Sequence, residues 1–416
     1  MGRERSVSST APVIIPDPFS HIHLKMNPAS NLFPSARCEC VMQSEIRAMS
    51  AECALAGGIN LSQGVCDTPV PSPVVQGAID AILRGQNIYT PQAGLRELRE
   101  AIAVKQRRFT GMEVDAGNGI IVSAGATGAM YCTFMALLNP GDEVIMFEPF
   151  YGYHVATLRA VDAVPSFVPL QPPEWSFTQE MLDAAITPKS RAILVNTPAN
   201  PSGKVFTREE LLQLAAFAER HDLFVFTDEM YEHFVFDGLS HCSIAALPGM
   251  RERTVTVSGL SKTFSVTGWR IGYAICDPKW ATPIGNFNDL VYVCAPAPLQ
   301  MGVAAGLFTL GDSYYHALSE EYESKRDLFC SALVEAGLPP YVPQGAYYVL
   351  ADVSALPGST SKEKAMHILR TTGVASVPAT AFYHDGGGES MVRFCFAKEE
   401  HVLAEACEKL VKLRFS

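Results

Sequence analysis

One lysine lies in an unusual setting, within Ser258-Gly259-Leu260-Ser261-Lys262-Thr263-Phe264 and just before Thr267-Gly268-Trp269-Arg270-Ile271-Gly272-Tyr273. Burial disfavours the charged form of an amine. A lysine enclosed by this apolar, Ser/Gly-rich run would therefore present a nucleophile suited to Schiff-base chemistry. A lysine in a polar surface loop is the plainer alternative, and the flanking Trp269-Arg270-Ile271-Gly272-Tyr273 argues against it. Ser123-Ala124-Gly125-Ala126-Thr127 follows a strand-like run and opens a helix-like one, so its free backbone N–H groups would suit a phosphate. Glycine turns of that kind are also common without any ligand. Asn200-Pro201-Ser202-Gly203 is a turn by composition alone. Asp228 closes an apolar run, with Glu229 and Tyr231 just beyond it. An acid in that position suits a helix N-cap as readily as a catalyst.

The elements that must position these residues alternate. Residues 119–122, 143–147, 191–196, 223–227, 254–258 and 270–275 are short apolar, β-prone runs. Helical patterns separate several of them, one running from the glycine turn through residue 138 and one over 207–220, and the apolar spacing at Val41, Ile46, Met49 and Cys53 predicts a helix within 37–55. Continuous apolar strands between amphipathic helices imply a mostly parallel sheet covered on both faces, an α/β fold. In such sheets ligands bind beyond the carboxyl ends of the strands, which is where the marked residues fall. After residue 312 the pattern changes to a long polar helix (314–336), strands at 346–352 and 391–396, and helices at 361–372 and 400–413. We expect an arm and part of a small domain over 1–70, a large domain over 71–311, and the rest of a smaller α+β domain over 312–416.

Composition sets the limits. Of 416 residues 48% are hydrophobic and 18% charged, which excludes a disordered chain. A net charge of −11 disfavours nucleic acid and favours a small-molecule partner. The 11 cysteines are scattered, without a CxxC pair or zinc-finger spacing, and read as reduced thiols of a cytoplasmic protein that needs no metal. Cys38-Glu39-Cys40 carries little weight as a metal or redox pair, and Met1-Gly2 with Ser6 little as a myristoylation signal. Two uncharged stretches, 116–141 and 291–310, are interrupted by Gly, Pro, Asn or Gln, so we expect buried soluble elements rather than membrane spans.

The blocks LSQGVCDTPVP, YTPQAGLRELREAIA, SAGATGAMY, EPFYGYH, NTPANPSGKVF, TDEMYEHF, SGLSKTFSVTGWRIGY and VRFCFA run in order from Leu61 to Ala397. This set resembles the class I/II aminotransferases, pyridoxal 5′-phosphate (PLP) enzymes of fold type I, and is most similar in pattern to the kynurenine, glutamine, methionine and aromatic aminotransferases. The resemblance implies roles residue by residue. Lys262 matches the Schiff-base lysine that shuttles the α-proton. Asp228 matches the partner of the pyridine nitrogen, whose protonation makes the ring an electron sink, and His154 a histidine supporting that aspartate. Tyr231 and Asn200 match the pair on the phenolic oxygen, and Tyr151 the aromatic stacked on the ring. Arg270 matches the phosphate arginine, helped by Gly125, Ala126, Thr127 and Ser261. Tyr89 is similar to a tyrosine that reaches the phosphate of the neighbouring subunit, which implies a homodimer with shared sites. Arg393 and Gly64, with Asn200, match the residues that hold the substrate α-carboxylate.

Three positions depart from the pattern. Gly259 stands where a hydroxyl residue usually contacts the phosphate, a contact that Ser258 or Ser261 would have to supply; Cys66 replaces proline and Ala346 replaces glycine. The expected reaction is a ping-pong transfer of an amino group from a neutral or aromatic L-amino acid to a 2-oxo acid. The uncharged run 291–310 offers no cation for a distal carboxylate, and Tyr151, Tyr347, Phe382 and Tyr383 suit an aromatic-tolerant pocket; Arg84 or Lys204 is a cation that would reverse that preference. The alternatives are a cysteine-conjugate β-lyase or aminocyclopropane-type synthase on the same fold, and a PLP-binding protein without catalysis. The second is disfavoured because Lys262, Asp228 and Arg393 are all present.

Overall fold

The computed structural model describes residues 33–39, 41 and 44–415. Cys40, Met1, Gly2, Ser6 and most of the N-terminal arm lie outside them. The strands, in chain order, are β1 (Ile59–Asn60), β2 (Ile120–Ala124), β3 (Glu143–Glu148), β4 (Val164–Pro169), β5 (Ser190–Asn196), β6 (Phe224–Asp228), β7 (Thr254–Gly259), β8 (Ile271–Ile275), β9 (Pro340–Tyr341), β10 (Tyr348–Asp352), β11 (Val374–Ala375), β12 (Val377–Pro378) and β13 (Met391–Cys395).

Seven strands form the main sheet in the order β2-β8-β7-β6-β5-β3-β4. All are parallel except β8, which runs antiparallel to both its neighbours. Alternate residues of the same strands enter two separate cores, as a sheet covered on both faces requires. Val144, Met146, Leu194 and Phe226 pack with Phe134 of the helix Gly125–Leu137. Ile145, Ile193, Val195 and Val225 pack with Leu211, Leu214 and Phe217 of the helix Arg208–Arg220. The second helix starts in a reciprocal capping box between Thr207 and Glu210, which satisfies two otherwise free N–H groups.

The structure corrects the sequence expectation at three places. Ser123 and Ala124, read as a turn, continue β2 because they pair with Gly272 and Ile271 of β8. β4 was not expected; it carries Pro165 and Pro169 and lies at the sheet edge, where a missing N–H costs no ladder bond. The sequence also gave no sign that β8 is reversed. Of the uncharged stretches, 116–141 becomes β2 and its helix, and 291–310 contains the helix Ala297–Thr309. No helix among the described residues is long and apolar enough to cross a membrane.

A four-stranded antiparallel sheet, ordered β12-β13-β10-β9, follows the long helix Asp312–Glu335. β1 joins this end of the chain by pairing in parallel with β11, Ile59 opposite Val374. The core beneath combines Met49 and Cys53 of the helix Glu45–Leu55 with Phe329, Val349 and Phe394. It also takes in Met230, Tyr231, Phe234 and Phe236, which follow β6. The two sheets are thus bound together by the segment that leaves the main sheet at Asp228.

Candidate active site

The carboxyl ends of β3, β5, β6 and β7 all point to one edge of the main sheet. Tyr151 and His154 lie just beyond β3, Asn200 beyond β5, Asp228 at the end of β6 and Lys262 beyond β7. Because β8 is antiparallel, its amino end reaches the same edge and delivers Arg270. Glycines permit the close approach there. A Cβ on Gly272 would lie 2.2 Å from the Ala126 nitrogen, and one on Gly125 (φ +78°) would lie 2.3 Å from the Arg270 guanidinium. The helix Gly125–Leu137 has no side-chain N-cap, so its first N–H groups are free to meet an anion beside Arg270.

A cavity of about 490 Å³ opens at this edge. Its lining brings together Ala126, Thr127, Tyr151, His154, Asn200 and Asp228, and with them Tyr231, Ser261, Lys262, Arg270, Arg393 and Gly64. Two expected residues are not in the lining. Gly125 sits behind the Arg270 guanidinium, where its missing side chain makes room. Tyr89 is 79% exposed, away from its own chain's cavity.

The charges in the cavity are unevenly paired. Asp228 is buried, with Oδ2 hydrogen-bonded to His154 Nε2 at 2.8 Å and Oδ1 accepting from the Met230 N–H. Lys262 Nζ donates to the Gly64 carbonyl at 2.8 Å and lies over the Tyr347 ring. It has no ion-pair partner among the described residues, and burial pushes its pKa below the usual lysine range. Arg393 is fully buried between the rings of Tyr348 and Phe382. Its guanidinium donates to Asn200 Oδ1 (2.9 Å) and the Ser62 carbonyl (2.6 Å), while Nε has no partner among the described residues. A buried cation that meets only neutral oxygens is a receptor for an anion. Tyr231 and Tyr348 share a hydroxyl–hydroxyl bond at 2.9 Å, and burial raises the pKa of both phenols.

Several sequence expectations are corrected here. Ser258 turns away from the cavity and donates to Glu232 and to the Glu229 carbonyl, so of the two serines only Ser261 faces it. Gly259 stands opposite Gly272 in the sheet, and a Cβ there would lie 3.0 Å from both the Ile271 carbonyl and Met230 Cε, a tight fit for any side chain. The aromatic lining is Tyr151, Tyr153, Tyr231 and Tyr348; Tyr347 and Phe382 lie behind it and Tyr383 outside it. Arg84 pairs weakly with Asp80 on the surface, and Lys204 is held by Glu210 at 2.7 Å, so neither enters the cavity. A cation that sequence reading overlooked, Arg47, does. Tyr348 was legible as the neighbour of Tyr347 in a strand of alternating faces. Arg47 carried no signal, because its helix was recognised by its buried face.

Residues 56–410 match the family model for aminotransferase class I and II. The chain belongs to that family. This aminotransferase is 33% identical over 382 residues to the methionine aminotransferase of Escherichia coli, covering 92% of this chain and 99% of that relative. It is 33% identical over 394 residues to kynurenine–oxoglutarate transaminase of Dictyostelium discoideum, covering 86% and 91%. The solved N-succinyldiaminopimelate aminotransferase of Mycobacterium tuberculosis matches with a TM-score of 0.88 at 34% identity, over 92% of this chain and 100% of that one. The chain is therefore an amino-group transferase of fold type I, in a family whose members use PLP.

Proposed function

We propose that this aminotransferase carries PLP and moves the amino group of a neutral or aromatic L-amino acid to a 2-oxo acid in a ping-pong cycle. The observation that carries the reading is the buried, anion-free Arg393 facing the same cavity as the buried Lys262. The residues present fit the cofactor. Gly125 clears the space for Arg270, an uncapped helix end supplies N–H groups, and Lys262 is a buried amine without a competing anion among the described residues.

When bound, PLP supplies the electron sink that stabilises a carbanion at the substrate α-carbon. Lys262 Nζ would attach the cofactor and then take and return the α-proton. Asp228, oriented by His154, would hold a proton on the pyridine nitrogen through its negative charge. Tyr231 and Asn200 would hydrogen-bond the phenolic oxygen, and Tyr151 would cover the ring. Arg270, Ala126, Thr127 and Ser261 would hold the phosphate. Arg393, with Gly64 and Asn200, would grip the α-carboxylate through two parallel N–H bonds. Tyr89, exposed on its own chain, would complete the site of a second copy in a homodimer. A neutral or aromatic donor is supported by the tyrosine lining and by the substrates named for the methionine and kynurenine relatives. The expected location is cytoplasmic.

The test is an absorbance titration of the PLP-loaded protein with single amino acids and no acceptor. Neutral or aromatic amino acids should convert the cofactor to pyridoxamine phosphate, and Lys262→Ala should abolish the conversion. Pyruvate and ammonia released without an acceptor would replace this reading with a lyase. Full turnover by Lys262→Ala would remove that residue from its role.

A further inference from the structure

Among the described residues, four cationic side chains line the cavity, Arg47, Lys262, Arg270 and Arg393, against one carboxylate, Asp228. The reading above gives three of the cations a counterpart, in the cofactor or the α-carboxylate. Arg47 is left over. It is the third residue of the helix Glu45–Leu55 and is exposed at the side of the cavity formed with Ser44, Ile46 and Gln63. Its helix neighbour Glu45 and the carboxylate of the cavity are engaged elsewhere. Glu45, on the same helix, is paired with Lys362 at 2.9 Å, and Asp228 is held by His154 at 2.8 Å. Arg47 itself has no side-chain hydrogen bond or ion pair among the described residues.

We propose that Arg47 is a specificity residue that receives the distal carboxylate of a dicarboxylic 2-oxo acid and of the amino acid formed from it. The proposal rests on the aminotransferase reading of the cavity. Its chemistry follows from where the charge sits. Arg393 is deep and fully buried, so it claims the carboxylate common to every substrate. Arg47 is at the solvent side, where a guanidinium remains hydrated when a neutral donor is bound and therefore imposes no desolvation cost on it. A dicarboxylic acceptor would gain a charge-assisted pair there. One cavity then serves a neutral donor through its tyrosines and an acidic acceptor through one arginine.

The experiment uses PLP-loaded wild type, Arg47→Gln and Arg47→Lys, checked for equal melting temperature. It compares half-reactions with glutamate and methionine, and with 2-oxoglutarate and pyruvate. In parallel, calorimetry measures binding of succinate, an unreactive dicarboxylate, against propionate. Arg47→Gln should lower the ratio of kcat/KM for dicarboxylic over neutral substrates about tenfold, through KM rather than kcat, with Arg47→Lys in between. Succinate binding should weaken by a similar factor. Equal losses for both substrate classes, or an unchanged ratio, would overturn the proposal, as would a wild-type enzyme that transaminates methionine but no dicarboxylic acid. A wild type that transaminates neither class would overturn the aminotransferase reading itself.

Discussion

Arg393 combines two properties that pull against each other. Its guanidinium is removed from water yet, among the described residues, faces only Asn200 Oδ1, the Ser62 carbonyl and two aromatic rings. A buried charge without a counter-ion lowers stability until an anion arrives. Activity and stability should therefore move in opposite directions in Arg393→Gln. Its kcat/KM should fall about 10²–10³-fold, the value of a lost bidentate charge pair, while the substrate-free protein should unfold with about 1 kcal/mol greater stability. Steady-state kinetics and urea denaturation of the same samples check both signs; a loss of stability would mean that the site around Arg393 is not strained. Residues of this kind were legible because they end strands or stand in dense motifs. Lys262, Asp228 and Asn200 all do so. Tyr348 was passed over for its neighbour Tyr347, and Arg47 was missed because its entry into the cavity depends on the docking of the helix Glu45–Leu55, which local sequence does not encode.

At the scale of elements, the helix Arg96–Thr110 is fastened to the main sheet by a buried ion pair between Lys105 and Glu232. Tyr273 of β8 accepts from Lys105 at 3.0 Å, and Ser258 of β7 donates to Glu232 at 2.8 Å. Burial alone would raise the Glu232 pKa, but Lys105, with His233 and His241 beside it, brings it down to about 2 from 4.5. Burial pushes His233 down to about 3 from 6.5, against the opposing pull of Glu232. Both shifts act in the same direction. The Glu232 contribution is complete above pH 4.5 and fades as the pH falls towards 2. His233 stays neutral in the folded state, so the unfolded chain alone gains a proton once the pH drops below 6.5. Stability should thus begin to decline just below pH 6.5 and continue falling through pH 4, as urea midpoints at pH 7, 5.5 and 4 would record. Glu232→Gln strands Lys105 and should cost about 3–5 kcal/mol at pH 7, most of which a Lys105→Met/Glu232→Leu double variant should recover. A midpoint independent of pH would sink the account. The strands in this scaffold were readable as apolar runs, but periodicity carries no direction. The reversal of β8, which brings Arg270 to the site and Tyr273 to Lys105, was therefore hidden, as was the proline-bearing edge strand β4.

At the scale of the whole molecule, the apolar surface suggests a second copy. The helices Ser72–Leu83 and Ala297–Thr309 pack so closely that a Cβ on Gly77 would lie 2.6 Å from the Ala305 side chain. The same pair leaves Ile79, Ile82, Leu83 and Phe308 exposed, and Ile88 and Tyr89 are exposed on the segment that follows the first helix. Six exposed large apolar side chains on two packed helices and the segment after the first are more than scattered surface exposure requires. The alternation of elements could indicate the two sheets but not this face, since exposure is a property of the assembled chain. If the face joins two copies and places Tyr89 in the partner's cavity, two defective variants should complement each other. Lys262→Ala keeps Tyr89, and Tyr89→Ala keeps Lys262. In a mixed dimer one cavity combines the intact Lys262 of one copy with the intact Tyr89 of the other, and the second cavity lacks both. Refolding the two variants together in equal amounts makes about half of the dimers mixed, with one good site in each. Activity should return to about a quarter of wild type above the residual level of Tyr89→Ala. Each variant must first be inactive or strongly impaired alone, with a mass by light scattering of two chains. Activity of the co-refolded sample equal to the average of the separate variants would place Tyr89 outside the neighbouring site, whatever the oligomeric state.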